Sequence, residues 1–95
     1  MAMVVGLLTL ELHFPHARSL KDKRTELQGI KDRVRRRFNA AVAELDHQDV
    51  WQRTRLGIVT INARTAVVEA VLDQVLRDVE SHLNGEVAFA DRQFF

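Results

Sequence analysis

Cysteine is absent from the 95 residues. That excludes a disulfide frame and thiolate chemistry, and leaves packing to hold the fold. Proline occurs once, at Pro15, and the four glycines (Gly6, Gly29, Gly57 and Gly85) are too scattered to form a phosphate-cradling loop. No apolar run approaches the roughly 20 residues of a membrane-spanning helix. The N-terminus lacks a basic leader and a small-residue cleavage site, so a cytoplasmic location is expected, with no membrane partner. The remaining composition, 46% hydrophobic and 28% charged, is that of a globular protein. The length predicts a single domain over 1–95 with a thin core, burying roughly 60–65% of its unfolded surface.

The formal net charge of +1 conceals an asymmetry. Residues 18–37 contain nine of the 14 basic residues: Arg18, Lys21, Lys23, Arg24, Lys31, Arg33, Arg35, Arg36 and Arg37. Only Asp22, Glu26 and Asp32 oppose them, so this segment carries +6 and the rest of the chain −5. A basic patch on an acidic body is a footprint for a polyanion, against the plainer reading of a solvated helix face.

The hydrophobic pattern orders the elements. Met3 to His13 reads as a central strand ended by Pro15, because proline cannot donate to a ladder. Ser19 precedes Leu20-Lys21-Asp22 as in a capping box, and Leu20, Leu27, Ile30, Val34 and Phe38 form a helical stripe, giving a helix over 20–37. Ala40 to Asp46 is a short strand, His47 to Arg53 a polar connection holding Trp51, and Arg55 to Ala63 a third strand. A second helix over 66–83 places Val68, Val71, Leu72, Val75, Leu76, Val79 and Leu83 on one face. Asn62 or Thr65 is its expected cap, and Asn84-Gly85 its expected left-handed stop. Val87 to Arg92 is the last strand. The order β-α-β-β-α-β predicts an α+β ferredoxin-like plait, with a four-stranded antiparallel sheet and both helices on one face.

The string Ser19-Leu20-Lys21-Asp22-Lys23-Arg24, after a strand ending near His13, resembles the signature of the YlxP-like family of small bacterial proteins. Phe38-Asn39-Ala40-Ala41-Val42-Ala43-Glu44-Leu45, Asp49-x-Trp51 and Leu56-Gly57 match that family's second strand, hairpin and third strand. The resemblance implies a ferredoxin-like domain of unknown function. Its members are often encoded beside transcription-elongation, translation-initiation and ribosome-assembly factors. By association it implies ribosomal RNA or a ribosome-associated protein as partner, and it assigns no catalytic residue.

Position sharpens the basic segment. Arg33, Arg35, Arg36 and Arg37 suit a helix C-terminus, whereas Lys21, Lys23 and Arg24 lie in the first turns, where the macrodipole disfavours cations. Stepping at about 100° per residue places Lys23 and Arg24 on the flanks of the Leu27 stripe, beside free backbone N–H groups. They either build a phosphate or carboxylate site or pair with Glu11, Glu44 or Asp46 and brace the fold. The candidate anion- or RNA-binding residues are therefore Arg18, Ser19, Lys21, Lys23, Arg24, Lys31, Arg35 and Arg36. RNA recognition by base stacking is excluded, because the central strands lack the aromatic positions it needs. His13 and His16 form an H-x-x-H pair without the further ligands zinc requires, so no metal or cofactor is expected. Ser19 has no histidine–carboxylate partner for nucleophilic work.

The leading functional reading is a non-enzymatic binding module that contacts RNA or the ribosome through the first helix. The competing one is an oligomeric regulatory protein holding a small anion at the start of that helix. Alternation along the first strand adds an expectation of self-association. Val4, Leu8, Leu10 and Leu12 point one way and Met3, Val5, Leu7 and Thr9 the other, so both sheet faces are apolar. A symmetric dimer through the sheet faces or edge strands would cover the open one, unless Phe94 and Phe95 fold over it.

Overall fold

The structure, a computed structural model, describes residues 2–95. Its elements run β1 (Val4–His13), α1 (Leu20–Arg37), β2 (Ala41–Asp46), β3 (Arg53–Asn62), α2 (Thr65–His82) and β4 (Glu86–Phe94). The strands form one sheet in the order β2-β3-β1-β4, and every neighbouring pair is antiparallel. Both helices cover the same face, as the ferredoxin-like plait requires.

Local chemistry explains the boundaries. Ser19 is extended and its Oγ accepts from the Asp22 N–H at 3.1 Å, as a cap should. The Asp22 carboxylate reaches back one residue further than in the usual box and accepts from the Arg18 N–H at 3.0 Å. At the start of α2 the expected caps are not used. Arg64 is the cap residue without a side-chain bond, Thr65 is already helical, and Asn62 remains in β3 with its Oδ1 accepting from the Arg64 N–H at 3.1 Å. Nor does Gly85 form a left-handed stop. Leu83 closes α2 in an extended conformation, and Gly85 instead lies against the His13 carbonyl, where a Cβ would overlap the oxygen.

Two strands extend beyond their sequence-predicted limits because pairing continues. Arg53 stays in register with His13 at the start of β3. On the far side, Phe95 exchanges both backbone hydrogen bonds with Val5, at 2.8 and 3.0 Å, and draws β4 out to the C-terminus.

Between the layers, Leu8, Leu10 and Leu12 of β1 and Leu56 and Ile58 of β3 meet Leu27, Ile30 and Val34 of α1 and Val68, Leu72, Val75 and Val79 of α2. Gly6 permits the close seat of α2, since a Cβ there would press into Val68 and Leu72. The other parity of β1, including Val5 and Leu7, faces away from the helices with Val59 and Ile61 of β3 beside it.

Candidate anion-binding surface

The cations of α1 divide by the direction in which the helix turns them. Lys23 points inward and is 1% exposed. Its Nζ lies 3.0 Å from Glu44 Oε2 and donates to the His47 carbonyl at 2.6 Å. Glu44 also accepts from the Thr54 hydroxyl at 2.5 Å. The ammonium thus ties the first turn of α1 to the end of β2 and the hairpin that follows. The expectation that Lys23 offers charge to an external anion is corrected here. Its stem is long enough to pass beneath the helix, and a buried ammonium is tolerable only where carboxylate and carbonyl oxygens receive it.

Arg33 and Arg37 face α2. Both converge on Asp78, whose side chain is 4% exposed: Arg33 Nε lies 3.1 Å from Oδ2 and Arg37 Nη1 2.6 Å from Oδ1. His82 stands 3.6 Å from the same carboxylate, and its Nδ1 is 2.9 Å from the Asp78 carbonyl. One buried acid shared by two guanidiniums fixes how the helices sit together. Helical spacing could have suggested that Asp78 faces inward, on the side of Val75 and Val79, but not which cations answer it.

Arg35 is partly engaged. It donates to the Val42 carbonyl on the outer edge of β2 at 3.1 Å and lies 3.9 Å from Asp32. The side chains of Arg18, Lys21, Arg24, Lys31 and Arg36 have no carboxylate within salt-bridge distance among the described residues. Lys21 and Arg24 border a shallow depression of about 650 Å³ on the solvent face, floored by Gly29, above which no other group stands. Asp32, the one acid in its rim, already accepts from Gln28 at 2.8 Å. The depression therefore has the unpaired Lys21 and Arg24 on one side, the Asp32 carboxylate on the other and the bare Gly29 backbone at its centre.

The start of α1 is a different environment. Ser19 is occupied by its cap bond, and the Asp22 carboxylate sits beside it. A negative charge at the helix start already complements the dipole and repels a second anion.

Residues 5–92 match the family described as "Protein of unknown function (DUF503)". The chain belongs to this family. A relative, the "Uncharacterized protein YlxP" of Bacillus subtilis (strain 168), is 36% identical over 78 residues, spanning 82% of this chain and 85% of its own. Among solved structures, "De novo designed protein Foldit4" is similar with a TM-score of 0.56 and 13% identity, covering 98% of this chain and 96% of that one. At that identity the likeness concerns the fold alone. Within this YlxP-like chain the Ser19-to-Arg24 signature has a divided structural task. Ser19 and Asp22 start the helix, Lys23 anchors it underneath, and Lys21 and Arg24 remain facing solvent.

A second polar cluster, on the sheet face away from the helices, was not singled out from the sequence as a unit. Glu11 of β1 is held by Arg55 of β3 at 2.6 and 2.8 Å and by His47 at 3.5 Å. Register creates it, because Glu11 and Arg55 are directly opposite in the ladder. His47 enters through a left-handed backbone (φ 67°) that turns the chain out of β2. The neighbouring Asp46 carboxyl is held below its ordinary 3.8, first by the His47 N–H it accepts and then by the charges of His47, Arg55 and Arg53.

Proposed function

We propose that the chain is a non-enzymatic module that binds RNA through the solvent face of α1, with Lys21, Arg24, Lys31 and Arg36 as the phosphate contacts. The observation that carries this reading is that no carboxylate lies within salt-bridge distance of them among the described residues. Within this segment Lys23, Arg33 and Arg37 are paired, whereas these four and Arg18 are left over among the described residues. From Lys21 to Arg36 the helix rises roughly 22 Å, enough to follow three or four phosphates of a strand. Arg18 and Arg35 flank this row and add attraction. Ribosomal RNA is the target class that the gene neighbourhood of the YlxP-like family supports. The competing small-anion site at Ser19 is disfavoured by the Asp22 carboxylate already there.

The reading is tested by fluorescence anisotropy with a labelled single-stranded RNA oligonucleotide across a salt series. Three to four phosphate contacts predict a log–log slope of about −2 to −3. The triple reversal Lys21→Glu, Arg24→Glu, Arg36→Glu should abolish binding while leaving the circular dichroism spectrum unchanged. Binding that ignores salt, or that survives the reversal, would overturn the assignment.

A further inference from the structure

We infer that the sheet face opposite the helices is the interface for a second copy of this chain. Two adjacent cross-strand rows make up most of its apolar part: Ile61, Val5 and Phe95 in one, and Ala41, Val59 and Leu7 in the next, which ends on Gln93 of β4; Phe89, opposite Glu11, is a further exposed apolar side chain on this face. Ile61 is 49% exposed and Phe95 71%, although both belong to regular ladder positions. The C-terminal phenylalanines do not shield this face. Phe94 pairs with Gly6 on the helix side, while Phe95 prolongs the sheet and widens the apolar surface.

Two observations select the occupant. The first is area. With Leu45 and Met3 at its borders, the face offers on the order of 600 Å² of apolar surface per copy, so a symmetric pair buries roughly 1,200 Å², the lower bound of a stable interface. The second is charge. The polar end of the face carries both signs of charge: Glu11 is paired with Arg55 and His47, and His13 with Glu86 at 3.3 Å, while Arg53 and Asp91 on the same face have no ion pair among the described residues. With one unpaired charge of each sign, such a rim asks for no partner of a single net charge. An apolar patch beside a rim of both signs is complementary to itself, and a two-fold axis through the patch lays apolar rows on apolar rows. Nucleic acid is a poor fit, because the central strands present valine, leucine and isoleucine where bases would need aromatic rings.

Sedimentation velocity from about 1 to 100 µM, spanning common dimer affinities, tests the inference. The expected mass is twice 10.9 kDa, shifting toward one chain on dilution. Val59→Asp should raise the dimer dissociation constant about a hundredfold, as loss of a central apolar contact does. Phe95→Ser removes a side chain that contributes little to the monomer, so it decides the matter if Val59→Asp does not fold; it should weaken the dimer about tenfold. A one-chain mass throughout the range overturns the inference. So does a dimer unaffected by Phe95→Ser and by any folded Val59→Asp, since contact would then run through strand edges or helices.

Discussion

At the scale of single residues, the most informative side chain is Lys23. Its position within a basic run makes it look like one of several surface cations, yet the fold buries it beneath the helix, at 1% exposure. Removing one member of a buried pair strands the other, so Lys23→Met should cost about 3 kcal/mol in urea denaturation. The double substitution Lys23→Met, Glu44→Gln should recover most of that loss, because no full charge is then left in the cluster. RNA affinity of Lys23→Met should equal that of the parent. Unchanged stability with weakened RNA binding would show instead that Lys23 serves the ligand. The amino-acid string contains both halves of the pair, but Glu44 is distant in sequence, and choosing among Glu11, Glu44 and Asp46 required the register of β2 on β3. In that register Glu44 sits beside Leu56 on the helix side, while Glu11 takes Arg55 on the other face.

At the scale of elements, α1 was the most legible. Its limits, Leu20 and Arg37, match those predicted from the stripe and the Ser19 cap, since both signals are local. Ser19→Ala should lower stability by about 1 kcal/mol, because the Asp22 N–H loses its acceptor; equal thermal midpoints would refute the cap. The start of α2 was less legible. Asn62 and Thr65 both have capping chemistry, but the pairing of Asn62 with Val4 keeps it in the sheet, and ladder hydrogen bonds outweigh a cap. The length of β4 was also hidden. The segment from Glu86 to Phe94 has no strong alternation, and most of its side chains are exposed, so cross-strand pairing with β1 defines it rather than burial.

For the whole molecule, the layer arrangement separates two surfaces. The basic face of α1 looks outward from the helix layer, and the apolar rows look outward from the sheet. A dimer through the sheets would therefore leave both α1 faces free and directed apart. Short RNA oligonucleotides should then bind each copy independently, with Phe95→Ser changing dimer mass but not affinity. The reversal of Lys21, Arg24 and Arg36 should do the opposite. Titration of a short oligonucleotide against both variants in the ultracentrifuge checks this; coupled losses in either variant would show that the two faces are not independent.

The sequence by itself determined the order of the elements, the ferredoxin-like architecture, the start of α1, the family and the concentration of positive charge in one helix. These rest on local periodicity, capping chemistry and motif identity, all of which are written along the chain. Only the tertiary structure decided which cations are free. Lys23, Arg33 and Arg37 are claimed by Glu44 and Asp78, residues 21, 45 and 41 positions away. Tertiary structure also decided that Phe95 extends the open face rather than covering it, through backbone bonds to Val5. Charge is a property of composition, but its availability depends on which oxygens the folded chain brings within about 3 Å, and that is set by register and helix packing.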